Sequence, residues 1–247
     1  MNKIQIGQLL PPNQTEQNML NTISGNLLFA GRDKKSIAVT SCHDGDGKST
    51  VAIQLAYSIT QEGNKVIVVD AALCGSSLID YTAAESDHEK KKTFTGYLNG
   101  ECKLSDIVYT TDVSNLYIIP RTKFFYDNSI PIDFASECLP SFNMVSFSNL
   151  IDDLTQTYDY IIVDTPSAGK TIEATKIASV CDGIVFVAKY KKTKKKDITE
   201  VVRQLEKSGK PIIGCVINQV KFDSIISRKR YRFLRTPLIR RIFRRKK

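Results

Sequence analysis

A short glycine-rich stretch, Gly45-Asp46-Gly47-Lys48-Ser49-Thr50, carries the residue types that bind phosphate. Glycines let the backbone turn tightly and approach the anion, and amide groups at the start of a following helix point towards it. A lysine at this place reaches the β- and γ-phosphates of a nucleotide, and the next hydroxyl binds Mg²⁺. The stretch predicts a phosphate loop whose cofactor-binding residues are Asp44, Gly45, Asp46, Gly47, Lys48, Ser49 and Thr50.

The start of this loop departs from the strict pattern, G-x-x-x-x-G-K-S/T. That pattern has a glycine where this chain has Cys42. The second half of the loop is therefore regular and the first half is not, which leaves the kind of nucleotide site open at this point.

Two aspartates follow apolar runs and are candidate partners of the loop, Asp70 in VIVVDAALCG and Asp164 in YIIVDTPSAG. A phosphate loop needs a carboxylate to hold the metal ion or its waters. We therefore predict Lys48, Asp70 and Asp164 as catalytic residues, and Ser49, Asp70 and Asp164 as Mg²⁺ ligands. Asn218 ends another apolar run, where its amide is either a reader of an adenine edge or an ordinary turn residue.

Six short apolar runs alternate with helical patterns, at residues 36–41, 65–71, 116–120, 158–166, 183–189 and 212–218. Val/Ile runs without polar alternation are typical of parallel strands covered on both faces. Helices are predicted from Lys48 to near Gly63 and within residues 197–211. This alternation indicates an α/β fold with a doubly wound, mainly parallel sheet and helices on both faces, and the phosphate loop makes it of the P-loop NTPase kind. Ligands of such folds bind at the carboxyl ends of the strands, where the candidate residues lie.

The charge of the 247-residue chain is unevenly distributed. Residues 226–247 hold 11 Lys and Arg and no acid, which leaves 24 basic and 26 acidic residues elsewhere. With residues 1–17 polar and containing two prolines, we divide the chain into a flexible arm at 1–17, a nucleotide-binding domain with the phosphate loop at 18–225 and a basic tail at 226–247. The N-terminus lacks the apolar core of a signal peptide, so a cytoplasmic protein is expected.

The end of the tail, residues 236–247, has an amphipathic pattern. Its apolar residues lie on one side of a helix and its arginines on the other, which suits an anionic membrane surface. We expect residues 228–247 to bind that surface, placing the protein at the inner face of the cell membrane. The alternatives are a solvated tail or an acidic partner. Nucleic acid is not an expected partner, because no recognisable nucleic-acid-binding fold or motif accompanies the basic residues.

Together these residues resemble the bacterial tyrosine kinases of capsule and exopolysaccharide synthesis, over residues 18–222. The loop of that family reads A/S-x-x-P-G-E-G-K-S/T without a leading glycine, which accounts for Cys42. Related partitioning ATPases carry an early second lysine where this chain has His43. Two further segments look like family segments, GYLNGECKLSDIV (96–108) and ASECLPSFNM (135–144). The resemblance implies ATP and Mg²⁺ as cofactors, phosphoryl transfer to tyrosine, and a membrane polysaccharide chain-length regulator as activating partner.

The chain also departs from the family pattern at the second acidic strand, which normally ends D-x-D-x-R. Here the three positions are Asp70, Ala72 and Cys74. In the family this pair of acids helps to organise Mg²⁺ and to activate the tyrosine hydroxyl. Three readings therefore stay open: a working kinase, a catalytically degenerate nucleotide-dependent adaptor, and a membrane-associated positioning ATPase.

Two other family features are reduced. The N-terminal helix of the family carries E-x-x-R-x-x-R for ring contacts, where this chain has Asn18, Asn21 and Ser24. The charges that form ring contacts in the family are therefore missing. Whether the chain forms a homo-oligomer stays open. The basic tail has one tyrosine, Tyr231, instead of the tyrosine cluster of the family.

Overall fold

The computed structural model describes residues 3–6, 13–30, 33–72, 94–120 and 143–220. These ranges form eight strands and seven helices. The strands are β1 (Lys3–Ile4), β2 (Ser36–Ser41), β3 (Val66–Asp70), β4 (Tyr109–Thr111), β5 (Leu116–Ile119), β6 (Tyr160–Asp164), β7 (Gly183–Lys189) and β8 (Ile212–Asn218). The helices are α1 (Gln14–Ala30), α2 (Lys48–Thr60), α3 (Phe94–Leu98), α4 (Leu104–Ile107), α5 (Met144–Thr157), α6 (Glu173–Val180) and α7 (Lys195–Glu206).

One sheet holds all eight strands of the described ranges, in the order β1-β4-β5-β3-β6-β2-β7-β8. The six strands from β5 to β8 along this order are parallel, and β4 pairs antiparallel with β5. One apolar cluster packs α1 and α2 on one face of the sheet, and a second packs α5, α6 and α7 on the other. The predicted doubly wound, mainly parallel sheet is confirmed.

The buried strands explain why the Val/Ile runs were informative. Every residue of β2 and β3 is buried, so both faces of these strands need apolar or hydrogen-bonded side chains. The six predicted strands are present, with β3, β5 and β6 somewhat shorter than the apolar runs that predicted them. The predicted helices after Lys48 and around residues 197–211 correspond to α2 and α7.

The structure differs from the sequence prediction at the N-terminus. Ile4 and Ile6 are fully buried, and Ile6 N donates to Asp112 Oδ1 at 2.9 Å, so this part of the expected loose arm belongs to the sheet. Helix α1 begins at Gln14, after Asn13 accepts a hydrogen bond from Glu16 N at 3.0 Å. A two-residue strand is too short to produce a readable pattern, which is why β1 was missed. Residues 226–247 lie outside the described ranges.

Within those ranges no helix combines the length and the apolar character that crossing a membrane requires.

Candidate nucleotide-binding site

The phosphate loop connects the end of β2 at Ser41 to the start of α2 at Lys48. Gly45 and Gly47 have φ angles of 76° and 89°, a left-handed conformation that side chains disfavour. A Cβ on Gly47 would lie 2.0 Å from Asn218 Nδ2 at the end of β8. Glycine is therefore required at this position both by backbone conformation and by the close approach of β8.

Hydrogen bonds to the side chain of Asp46 stabilise the conformation of the phosphate loop. Asp46 is 3% exposed, and its Oδ2 accepts a hydrogen bond from His43 N at 2.9 Å while its Oδ1 accepts one from Thr193 Oγ1 at 3.3 Å. Asn218 Nδ2 donates to the Asp46 carbonyl at 3.1 Å, and Asn218 Oδ1 accepts from Gln219 N at 2.8 Å. The Asp46 carboxylate thus braces the loop, and the Asn218 amide, predicted as a possible adenine reader, is engaged with the same loop.

Cys42 occupies the irregular position of the loop and belongs to the core. Its side chain is 2% exposed, and burial, with a smaller contribution from Asp46, raises the pKa of its thiol to about 12. Its carbonyl oxygen would lie 2.3 Å from a Cβ on Gly169, so the loop after β6 packs directly on it. The thiol is therefore a buried, uncharged group of the core.

Asp44 lies on the outer edge of the loop and contacts the segment after β6. Its Oδ2 accepts a hydrogen bond from Lys170 Nζ at 2.5 Å, and its Oδ1 accepts one from Ser167 Oγ. Partial burial acts to raise the pKa of Asp44, but the bonds from Lys170 and Ser167 outweigh it and hold that pKa below its usual value. Asp44 is therefore charged and already paired. Neither Lys170 nor Ser167 was identified from the sequence, because both lie far from the glycine motif along the chain.

Lys48 and Ser49 are the first two residues of α2 and are 8% and 2% exposed. Their position at a helix N-terminus combines free amide groups with the positive end of the helix dipole, which favours an anion. Buried beside them are the ends of β3 and β6. The structure thus brings together Lys48, Ser49 and the two predicted acids.

Asp70 and Asp164 end adjacent parallel strands in direct register, and both are fully buried. Asp70 Oδ1 accepts a hydrogen bond from Ala72 N at 3.2 Å. Neither oxygen of Asp164 has a hydrogen-bond partner among the described residues. Burial, followed by the charge of Asp70, raises the pKa of Asp164 to about 7, although Lys48 and Ser49 act in the opposite direction.

A buried carboxylate without partners is rare in folded proteins and points to a missing ligand. Two adjacent carboxylates and the Ser49 hydroxyl form the hard oxygen set that Mg²⁺ prefers. The residues present therefore fit a divalent cation, with Ser49, Asp70 and Asp164 as the residues that would hold the ion or its waters.

Ala72 is fully buried, so the place of the family's second acid is apolar in this chain. Asp44 and Asp46, which lie nearby along the loop, are bound to other groups and do not replace it. Asp80, another acid considered for this role, and Cys74 lie outside the described residues. The family's two acidic positions correspond to residues 70 and 72, and of these two only Asp70 carries a carboxylate in this chain.

The family's ring-contact positions are also changed in α1. Ser24 is fully buried, and its Oγ lies 2.9 Å from Ser58 Oγ on α2. Ser58 Oγ donates to Asn21 Oδ1 at 3.0 Å. Two of the three positions thus form an uncharged contact within the chain.

This fold and site define the chain as a P-loop nucleotide-binding protein. A family model described as an AAA domain matches residues 34–219. Tyrosine-protein kinase CpsD of Streptococcus agalactiae is 32% identical over 200 residues, which are 81% of this chain and 82% of that protein.

Two solved structures extend the comparison. The kinase domain of VpsO is 26% identical, with a TM-score of 0.66 over 84% of this chain and 98% of that one. The septum site-determining protein MinD of Pyrococcus horikoshii, solved with Mg-ADP, shares the fold at 24% identity, with a TM-score of 0.58 over 74% of this chain and 69% of that one. The chain belongs to the family of bacterial tyrosine kinases of capsule and exopolysaccharide synthesis.

Proposed function

We propose that this protein binds ATP with Mg²⁺ and transfers the γ-phosphoryl group to tyrosine side chains in the control of capsule or exopolysaccharide synthesis. The observation that carries the proposal is the buried, unpartnered Asp164 carboxylate, in register with Asp70 and beside Ser49 at the start of α2. Family membership supports the tyrosine as acceptor.

Each residue has a distinct part in this chemistry. The amides of residues 45–50 and the Lys48 ammonium bind the phosphates and neutralise charge that develops during transfer. Ser49, Asp70 and Asp164 would hold the ion, which when bound would supply positive charge to the phosphates. We assign to Asp70 the acceptance of the proton of the tyrosine hydroxyl, because Ala72 has no group that can accept it.

The test is the intact mass of the purified protein after incubation with MgATP, in the presence of the cytoplasmic tail of its membrane partner. Mass increments of one phosphate that map to tyrosine and vanish in Lys48→Ala support the kinase. Absence of ATP binding at millimolar concentration overturns the proposal.

The burial of Ala72 favours a second candidate function. An apolar residue in the place of an acid removes a carboxylate from the acceptor side and leaves the phosphate side intact, as in a nucleotide-dependent adaptor. Such a protein binds MgATP in the same assay but gains no phosphate. Lipid-stimulated ATP hydrolysis without phosphotyrosine would instead identify a positioning ATPase.

We infer two partners from the family and the sequence. The first is a membrane polysaccharide chain-length regulator, and the second is an anionic membrane surface bound by residues 228–247. Co-sedimentation of the whole chain with vesicles rich in phosphatidylglycerol, compared with a chain ending at residue 227, tests the second. Equal sedimentation of the two proteins contradicts it.

A further inference from the structure

A groove of about 790 Å³ lies between α6 and α7, next to the nucleotide site. The segment after β6 forms one end of the groove, and Gln204 Nε2 on α7 donates to the Thr171 carbonyl there at 3.3 Å. Ile172, whose side chain is 59% exposed, adds an apolar surface to the lining. The volume suits a peptide segment or a small ligand.

The walls of the groove are strongly basic. Lys170, Lys176, Arg203 and Lys207 line it, against a single acid, Glu200. In the described part of the chain, no carboxylate lies within ion-pair distance of Lys176, Arg203 or Lys207. Four cations against one acid give the lining a net positive charge, which an anionic occupant would compensate.

Lys170 belongs to the groove and to the phosphate loop at once. Lys170 lines the groove, and its ammonium group binds Asp44 Oδ2 at 2.5 Å on the outer edge of the loop. While that pair is intact, the charge of Asp44 is compensated. If an anion in the groove draws Lys170 away, the negative charge of Asp44 is exposed near the place where phosphates bind.

We propose that the groove between α6 and α7 binds an acidic peptide segment of a partner protein, and that Lys170 couples this docking to the nucleotide site. Docking weakens nucleotide binding, and nucleotide binding weakens docking by the same factor. The coupling rests on the proposed nucleotide function, whereas the docking does not.

The shape and charge of the groove select this occupant. The lining residues lie between two helices, so a flat bilayer reaches them poorly whereas an extended segment enters. The chain's own tail, with 11 basic residues and no acid at 226–247, has the wrong charge. An acidic segment with one apolar side chain matches both the cations and Ile172.

Docking is tested by fluorescence anisotropy of a labelled peptide of about ten residues that carries five glutamates around one leucine. We expect the whole protein to bind it, and Arg203→Glu/Lys207→Glu to bind it at least about tenfold more weakly. The matched control is Lys195→Glu/Lys196→Glu, which makes the same charge change at the start of α7 outside the groove. A loss of binding equal in both variants, or equal binding of the glutamine version of the peptide, overturns the docking. Competition by phosphatidylglycerol vesicles but not by unlabelled peptide assigns the groove to lipid and overturns it as well.

Coupling is tested by titrating a fluorescent ATP derivative with Mg²⁺, with and without saturating peptide. We expect the peptide to weaken nucleotide binding several-fold, and Lys170→Gln to weaken it without peptide and to remove the effect of the peptide. Peptide binding with unchanged nucleotide affinity overturns the coupling. Peptide binding by a protein that never binds nucleotide contradicts the proposed function and supports the docking, so the two failures are distinguishable.

Discussion

The phosphate loop and the acidic strand ends form opposite sides of one site. The loop has the residues that phosphate binding needs, whereas the acidic side lacks one of the family's carboxylates. The loop has two left-handed glycines, a braced backbone and a buried lysine and serine at a helix start. The acidic side has Asp70 and Asp164. Two residues after the end of β3, where the family has a second acid, it has the buried apolar Ala72. Phosphoryl transfer is therefore separable from phosphate binding in this site, because a change on the acidic side can alter transfer while the loop still binds phosphate.

The largest effect is expected from a substitution in the phosphate loop. Lys48→Ala removes the charge that faces the phosphates, so MgATP affinity should fall by roughly a hundredfold, corresponding to about 2.7 kcal/mol. Isothermal titration calorimetry measures it. The control is Lys65→Ala, whose ammonium lies over the rings of Tyr117 and Tyr158 at 5.3 and 4.8 Å, away from the loop. Equal affinities for the two variants contradict the assignment of Lys48.

The next largest effect is expected from a substitution at one of the two acidic strand ends. Asp164→Asn removes a buried charge next to Asp70, so without Mg²⁺ the free energy of unfolding at pH 8 should rise by roughly 1 to 3 kcal/mol. The dependence of nucleotide affinity on Mg²⁺ should fall in the same variant. Urea unfolding and titrations with and without EDTA measure both quantities. A destabilised variant that keeps its Mg²⁺ dependence argues against a metal at this position.

A third change tests the missing acid directly. Ala72→Asp returns a carboxylate to the acceptor side, and phosphotyrosine formation should rise by at least about tenfold if that loss limits the reaction. Because position 72 is fully buried beside two acids, the unfolding free energy should fall at the same time. The neutral variant Ala72→Asn separates charge from volume in the phosphotyrosine assay. Equal rates in both variants would show that Ala72 is not the limiting residue.

The raised pKa of Asp164 also predicts that the stability of the protein without Mg²⁺ depends on pH. The pKa of Asp164 is raised from 3.8 to about 7 in the folded protein. Between these values the folded state binds more protons than the unfolded state, so stability without Mg²⁺ falls as the pH rises from about 4 to about 7. Urea unfolding at pH 5 and pH 7.5 measures the decline. Asp164→Asn should flatten it, and an unchanged decline would assign the effect to another group.

The sequence predicts the centre of this fold and the chemistry of the loop better than it predicts the contacts of the loop. The parallel strands inside the sheet were recognisable because strands buried on both faces must be apolar along their length, and the edge strand β8 was recognisable from its own apolar run although only Val216 is buried in it. Gly45, Gly47 and Lys48 were recognisable because phosphate binding depends on residues that are adjacent in the chain. The two-residue strand β1 carries too little pattern for such an argument.

Long-range pairs were outside the reach of the sequence. Asp44 and Lys170 are separated by 126 positions, and Asp46 and Asn218 by 172. A sequence pattern shows that Asp46 lies in the loop, but only the fold shows that its carboxylate turns inwards to His43 N. The burial of Ser24 against Ser58 is likewise set by the packing of α1 on α2.

The contact between Gly47 and Asn218 has a consequence for the order in which the protein matures during synthesis. The ribosome makes the phosphate loop before Asn218, whose Nδ2 donates to the Asp46 carbonyl from 172 positions further along the chain. A nascent chain therefore carries an unfinished loop until β8 joins the edge of the sheet next to β7. A prematurely terminated chain that lacks β8 would lack the hydrogen bond from Asn218 to the phosphate loop, so we expect its nucleotide binding to be weakened.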